Sequence, residues 1–594
     1  METKKLILAI ALSIIVITLY QYLFMPKPAE KKVVPLSEKS VQQQGTIPES
    51  TNDAAADSKS LTDIFSKTEK KEIKKETVLV PASENLKGSE IKDITIETSL
   101  YKAVFTNSGA GLKSFILKNY EDDKKNHLDL ISEKVNDALG RESLPFYFSI
   151  FDQEKFVTDI NKEKFFYNGP AEIKLTGSAN REIVFKYSDV EKDIQVEKRF
   201  VFQNNSYVIG TKVNVIKAGK KIDIPVIFGP DLENNIASMR APATSLILKG
   251  YDGNEILDVK FSGVKVEKVG DSLISKGSGS FRGFFYWIAY ERPYFAAMIR
   301  TEKRDAAIKY YTVKVKGDKN QVKNYSFITF TNPVSFYFGP KDEEELEKIE
   351  GIFPDANKII DYGWAIFGAI AKVMLKGLNL IQQYIPNYGW ALVFFTIIIK
   401  ILLFPLTYSS SVSMAKMQTL QPKIKAIKKK YKNLKDPEQR KKMNVETMAL
   451  YKSEKVNPAG GCLPLLLQMP VFFGLFRLLQ TSINIRHEPW ILWIQDLSLK
   501  DSFYVLPILM GVTQLIVSKM SPTSADSSQK KITYIMPVVM VFLFMNFSSG
   551  LNLYWFISNL LQIGQQHIIN KKIFHDKKEE EKLQKVLKKK KRGK

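Results

Sequence analysis

Hydrophobic and polar positions follow one another along this chain in distinct regimes. Residues 6–24 form an apolar run behind Lys4 and Lys5, 27–88 show no period, and 90–340 alternate with period two. Past 361 the period becomes helical, and then apolar runs of bilayer-crossing length follow at 390–408, 462–483, 503–520, 532–547 and 551–569. About 20 apolar residues at ~1.5 Å rise cover a ~30 Å hydrocarbon core, so each run predicts a transmembrane helix. The first run, 6–24, is longer than a usual signal-peptide core, and no small-x-small site follows it before Pro26. That favours an uncleaved anchor over a cleaved signal. The stretch after it is rich in Lys, Glu, Ser, Gln and Pro with few aromatics, and reads as a disordered tether.

Strand-like alternation is clearest in Asp93-Ile94-Thr95-Ile96-Glu97-Thr98, Arg181-Glu182-Ile183-Val184-Phe185-Lys186-Tyr187 and 194–202. Asn-Asn-Ser, Gly-Lys-Lys and Asp-Gly-Asn clusters separate such runs as turns. Many short strands without a long helical pattern predict a large antiparallel β-sandwich. Gly277-Ser278-Gly279-Ser280 is neither a nucleophile elbow nor a dinucleotide fingerprint, and reads as a turn or loop. After Pro340, 341–351 is acidic and helical in pattern. The segment 361–385 sets Trp364, Phe367, Ile370, Val373, Met374, Leu378 and Ile381 against Lys372, Lys376 and Gln382. This predicts an amphipathic helix lying in the outer interface, with a poor transmembrane span as the alternative.

Charge fixes orientation. Of the formal net charge of +24, the segment 408–461 carries +9 and 571–594 carries +8, so two segments flanking spans hold 17 of the 24 charges. Basic loops on one side of a membrane mark the cytoplasm; a nucleic-acid domain would spread its charge differently. With the N-terminal anchor the spans number six, which places both termini in the cytoplasm and 90–340 outside. The single cysteine, Cys462, excludes an intramolecular disulfide, and the four histidines form no zinc spacing with it.

Candidate chemistry lies inside the spans. Lys400 stands in the inner half of 390–408 with Thr396 one turn before it on the same face, and no Asp or Glu lies at midspan depth in another run. Gln468 sits between Pro464 and Pro470. The last run carries Asn552, Trp555, Asn559, Gln562 and Gln566 at steps of 3, 4, 3 and 4, with Tyr554 and Ser558 beside them. Such a stripe must face protein or water. Interhelical hydrogen bonding would account for the stripe alone; an unpaired Lys400 points instead to a hydrated, positively charged cavity. In the basic loop, Met414, Met417, Leu420, Ile424, Ile427 and Tyr431 recur at helical steps, with Lys423, Lys425 and Lys428 on other faces and Met443 on the second helix. This predicts a helical hairpin whose apolar row either meets partners or packs the two helices together.

The segments SMAKMQTLQPKIKAIKKKY (413–431), ALYKSEKVNPAGGCLPLLLQMPVF (449–472), LWIQDLSLKDSFYVLPILMG (492–511) and LYWFISNLLQIGQQ (553–566) closely resemble the YidC membrane protein insertase family, in its Gram-negative form. The resemblance implies an α-helical polytopic membrane protein, an N-terminal anchor plus a five-helix core, with a large all-β periplasmic supersandwich. It divides the chain into anchor 1–25, tether 26–89, β domain 90–340, acidic and interfacial helices 341–387, core 388–570 with hairpin 408–461, and basic tail 571–594. It implies an insertase and chaperone of the bacterial inner membrane, with no catalytic residue, metal or cofactor. Its partners would be nascent membrane-protein clients, the ribosome, the Sec translocon, the signal recognition particle with its receptor, and the lipid bilayer. Groove positions carried by motif are Lys400, where most of the family has Arg, with Thr396, Gln468, Met469, Tyr554, Trp555, Ser558 and Asn559. Hairpin contacts would be Met414, Met417, Lys423, Lys425, Lys428 and Met443. The rival reading is a secondary transporter or channel with Lys400 as counter-charge, against which stands the lack of an inverted repeat. A glycan-binding envelope protein would leave the polar stripe unexplained.

Overall fold

The computed structural model describes residues 84–122, 125–131, 144–148, 160–229, 232, 247–259, 265–269, 272–276, 278–302, 305–316, 322–363, 365–431, 436–454, 456, 463–521 and 527–592. The anchor, most of the tether, Gly277 and the loop 457–462 lie outside the described residues. The chain divides in sequence into two compact units at Ile359/Ile360.

The first unit is built of strands. Asp93–Glu97 buries Ile94 and Ile96 while Thr95 and Glu97 are half-exposed, as a pleated strand with one core face requires. Asn180–Asp189 and Ile194–Gln203 pair antiparallel from Asn180↔Gln203 to Asp189↔Ile194. Asp193, at φ 43°, turns the chain between them. Ser278–Phe284, whose first residues read as a turn or loop from sequence, is a strand paired with Asp305–Lys316 from Ser278↔Tyr311 to Phe284↔Asp305. A second correction concerns Gly219-Lys220-Lys221. Only Ala218 and Gly219 form the turn, at φ 51° and 70°, and Lys220–Lys221 continue as a short strand on Ile216 and Lys217.

Nine-, five- and four-stranded sheets form, with an added two-stranded ribbon. The pairing is antiparallel with one exception among the described strands: Asp93–Glu97 runs parallel to Glu172–Lys174. Aromatic side chains join the sheets. Phe105 of the five-stranded sheet lies 4.8 Å from Phe200 of the nine-stranded sheet, and Phe115 lies 5.2 Å from Phe338. Phe228 of the four-stranded sheet meets Phe336 at 5.2 Å. The nine-stranded sheet is thus covered by both of the others. Helix α1 (Glu343–Lys348) follows the last strand, capped by Asp342 accepting from Glu344 and Glu345 N–H. A 3₁₀ turn at Ala356–Ile359 is tied back by Trp287 Nε1 donating to Pro354 O at 2.7 Å.

This unit contains buried lysines. The Lys198 ammonium donates to Gly109 O at 2.7 Å and Phe146 O at 2.6 Å, and faces the Phe148 ring at 4.3 Å. Burial pushes it down to about 7. Glu291 lies between Lys249 and Lys341, each 2.7 Å away and all nearly inaccessible. Burial pushes the Glu291 carboxyl up, but Lys341 and Lys249 outweigh it and hold it below its ordinary value.

The second unit is helical: α2 (Ala365–Gln382), α3 (Tyr388–Lys430), α4 (Pro437–Ser453), α5 (Leu463–Thr481), α6 (Val505–Met520), α7 (Ser527–Phe544) and α8 (Ser549–Arg592). Two boundaries differ from the sequence reading. The span did not stop at Tyr408, because α3 passes through Pro405 and Pro422 and supplies the first arm of the hairpin without a break. Nor is 571–594 a separate tail, since α8 continues to Arg592. Residues 414–430 are rich in Ala, Met, Lys, Gln and Leu, all good helix formers, and each proline forfeits one backbone hydrogen bond without ending the helix.

Within α3, Tyr388–Met414 is long and apolar enough to cross a bilayer, with mean hydropathy 2.2. Val505–Met520 and Thr533–Phe544 are apolar but shorter. The amides of α8 keep it below the same mark. Exposed Ile401, Leu402, Phe542 and Leu543 give these helices an apolar exterior suited to lipid. Helix α2 buries Ala371, Met374 and Leu378, and packs Phe367 on Phe473 of α5 at 5.3 Å. Its inner face is therefore spent on protein, while Ile366, Val373 and Leu380 stay exposed at steps of seven.

The loop between α5 and α6 is pinned by Asp501. Its carboxylate accepts from Trp493 Nε1 and from the N–H groups of Phe503 and Leu506. Asn387 caps α3 and donates to Pro489 O and Trp490 O, which fixes the start of α3 against this loop.

Candidate functional site

Lys400 lies roughly 18 Å along α3 from Tyr388 at ~1.5 Å per residue. Its neighbours Ile401 and Leu402 are 66% and 72% exposed, while Thr396 is fully buried, so α3 turns its polar face inward. The Lys400 ammonium donates to Gln562 Oε1 on α8 at 3.4 Å. Among the described residues no carboxylate comes within 4.0 Å of it. Charge-assisted bonds usually measure ~2.7–2.9 Å, so this neutral contact is long and weak. Thr396 spends its hydroxyl on its own helix, donating to Leu392 O at 2.7 Å.

The polar residues of α8 divide into two faces. Toward α3 and α5, Ser558 accepts from Gln468 Nε2 at 2.8 Å, and the same amide reaches the Tyr554 hydroxyl. Gln565 donates to Thr407 Oγ1 at 2.9 Å. Gln562 meets Lys400 between these two contacts. Toward α6 and α7, Asn559 donates to Met510 O and Thr513 Oγ1, both at 3.2 Å. Trp555 donates to Gln514 Oε1 at 3.3 Å and lays its ring against Phe472 and Phe544. Asn552 donates to the carbonyls of Phe544, Phe547 and Ser548. Gln566 bonds Asn570, which reaches Met520 O.

The single stripe read from sequence therefore holds two populations. Asn552, Trp555 and Asn559 hold α8 to its neighbours and Gln566 bonds Asn570 of α8 itself, whereas Tyr554, Ser558, Gln562 and Gln565 line the face shared with α3 and α5. Lys400, Thr396, Gln468, Tyr554 and Ser558 belong to that face; Trp555 and Asn559 turn toward α6. Met469 is 38% exposed and is the most accessible side chain of the group. Gln514, Thr407 and Gln565 were missed. A lone amide in the apolar run Val505–Met520 was the available signal for Gln514.

In the hairpin, Leu420 and Ile424 of α3 are buried with Val456, and Met417, Leu450 and Tyr451 pack around them. That much of the apolar row joins the two arms. Met414 and Met443 are half-buried, Lys423 pairs with Glu454 at 2.6 Å, and Lys425 and Lys428 are exposed. On α4, Val445 and Met448 are 63% and 51% exposed.

Two family models cover this chain: the 60Kd inner membrane protein over residues 380–578 and the YidC periplasmic domain over 93–376. The membrane protein insertase YidC of Geotalea daltonii is 34% identical over 583 residues, covering 96% of this chain and 99% of the relative. The chain belongs to the YidC membrane protein insertase family. The insertases of Citrifermentans bemidjiense (35% identical, 81% of this chain and 86% of the relative) and Syntrophus aciditrophicus (34%, 96% and 99%) agree. A crystal structure of an active YidC insertase with its first transmembrane domain resolved aligns over 82% of this chain and 95% of its own, at 19% identity and TM-score 0.32. The protein is thus an insertase of the bacterial inner membrane and not an enzyme. It has a β-rich periplasmic domain and a helical insertase core, and membrane proteins are its clients.

Proposed function

We propose that the face formed by α3, α5 and α8 is a hydrated, positively charged groove that receives the polar segment of an incoming client. The observation that carries this reading is Lys400, held deep in a bilayer-length helix by one neutral amide at 3.4 Å. A charge at that depth costs roughly 2.5–3.5 kcal/mol on insertion scales. With no counter-ion among the described residues, water offsets that cost in the resting state and a client's acidic group replaces the water. The groove lowers the barrier to moving a short polar tail, and burial of the client's own apolar span drives its release into lipid.

The hairpin of α3 and α4, with the end of α8, supplies the basic surface for the ribosome, the signal recognition particle and its receptor. The protein works alone or beside the Sec translocon. The β sheets form a supersandwich placed outside the membrane, and residues 1–25 anchor the chain. No cofactor enters this scheme.

The test is site-specific photocrosslinking to stalled nascent chains from Met469, which is exposed enough to carry a probe. A label there should transfer to the client polypeptide. Transfer to a small solute and not to polypeptide would support the transporter reading instead.

A further inference from the structure

Gln562 is where this groove departs from an ordinary ion pair. The other polar side chains on its face are engaged away from Lys400: Ser558 with Gln468, and Gln565 with Thr407. Among the described residues Gln562 bonds Lys400 alone. Met414, where the apolar stretch of α3 ends, is about 21 Å further along α3 at ~1.5 Å per residue, beyond the reach of a lysine stem. The ammonium therefore stays at its depth, drawn across to α8.

We propose that Gln562 is a positioning and specificity-determining residue: its neutral carbonyl aims the Lys400 ammonium into the groove without cancelling its charge, and so sets the preference for acidic client segments. A glutamate at this position would accept the same bond, form a desolvated ion pair and leave the groove neutral. An aliphatic residue would leave the stem without a direction. The amide does neither. Because its contact is long and its acceptor is a neutral amide, a client carboxylate exchanges with it readily, and two N–H donors of Lys400 remain for that purpose. This inference rests on the groove reading of the preceding subsection.

The experiment uses the full-length protein in phosphatidylethanolamine–phosphatidylglycerol vesicles. A single-span client carries two Asp, two Asn or two Lys in its translocated tail, and insertion is read by protease protection. The readout is the ratio of Asp-tail to Asn-tail insertion. Gln562→Glu should lower that ratio about fivefold, to the level of Lys400→Ala, the size of one unit charge acting over several ångströms in a mostly aqueous medium. Lys400→Gln should lower it similarly, and the exchanged pair Lys400→Gln with Gln562→Lys should recover it, since ammonium and amide then merely trade helices.

A wild-type ratio for Gln562→Glu, with Lys400→Ala still low, would overturn the role of Gln562 and leave the groove reading standing. Equal ratios for wild type and Lys400→Ala would overturn both. Should Gln562→Glu fail to accumulate, the exchanged pair decides: no recovery over Lys400→Gln counts against the proposal.

Discussion

The two units of this protein treat buried ammonium groups in opposite ways. In the β unit, Lys198 is met by two carbonyls at 2.7 and 2.6 Å and an aromatic face, and Lys249 and Lys341 share one carboxylate at 2.7 Å each. In the helical unit, Lys400 has one amide at 3.4 Å. Desolvation penalises all of them, so the difference lies in how far the surroundings compensate. An ammonium held by short contacts on several sides is part of the scaffold, and displacing its partners would break the fold. A weakly compensated one keeps interaction energy in reserve for something that arrives later.

Four substitutions probe that contrast. The largest effect is expected for Glu291→Gln, which strands Lys249 and Lys341 side by side. A broken buried ion pair typically costs about 3–5 kcal/mol. Thermal unfolding in detergent should show a lowered β-unit transition, whereas an unchanged transition would mean the three charges are only loosely coupled.

Lys198→Met orphans two buried carbonyls, at about 1–3 kcal/mol each, offset in part because no ammonium need be desolvated. It also makes a pH prediction. The Lys198 ammonium sits at about 7 when folded, against 10.5 for an ordinary lysine. Between those values the unfolded chain binds a proton that the folded one lacks, so this site makes stability rise with pH from about 7 to 10.5 and exacts its full cost below 7. Lys198→Met should flatten that rise in a series of melts. A rise of unchanged slope in the variant would assign it to another group.

Lys400 should behave the other way round. Lys400→Leu is expected to leave the melting of the helical unit unchanged or raise it, by up to about 1–4 kcal/mol as for other buried charges replaced by apolar residues, while insertion of acidic tails falls. Lys400→Arg should retain insertion, because charge is needed there and not a fork geometry. A destabilised Lys400→Leu protein would place Lys400 with the scaffold lysines and dissolve the comparison. The smallest effect should follow removal of 571–594, which takes away +8 of charge. Ribosome co-sedimentation should weaken, and the difference should shrink as salt rises.

The same contrast marks what the sequence could disclose. Alternation made Asp93–Glu97 and the hairpin of Asn180–Asp189 with Ile194–Gln203 readable, because each face of a strand meets a different medium. The parallel pairing of Glu172–Lys174 was not readable, since three residues carry too little pattern to set a direction. Lys400 stood out because a charge in an apolar run has no local explanation. Its partner did not, because Gln562 and Gln566 look alike on a helical wheel, yet Gln562 meets Lys400 of α3 while Gln566 bonds Asn570 of its own helix. The span read as ending at Tyr408 runs on through Pro405 and Pro422 into the hairpin, because the change from apolar to basic residues marks the membrane edge and not the end of the helix.

That continuity of α3 has a mechanical side. Lys400 and the tip of the hairpin's first arm at Lys430 belong to one helix, about 45 Å apart at ~1.5 Å per residue. A tilt of about 10° about Lys400 would swing the tip by roughly 8 Å over that length. Pro405, just over one turn beyond Lys400, is where the missing backbone bond makes bending easiest. A pull on the hairpin arm therefore acts on the same helix that carries Lys400, and the stiffness at Pro405 sets how much of that movement Lys400 feels.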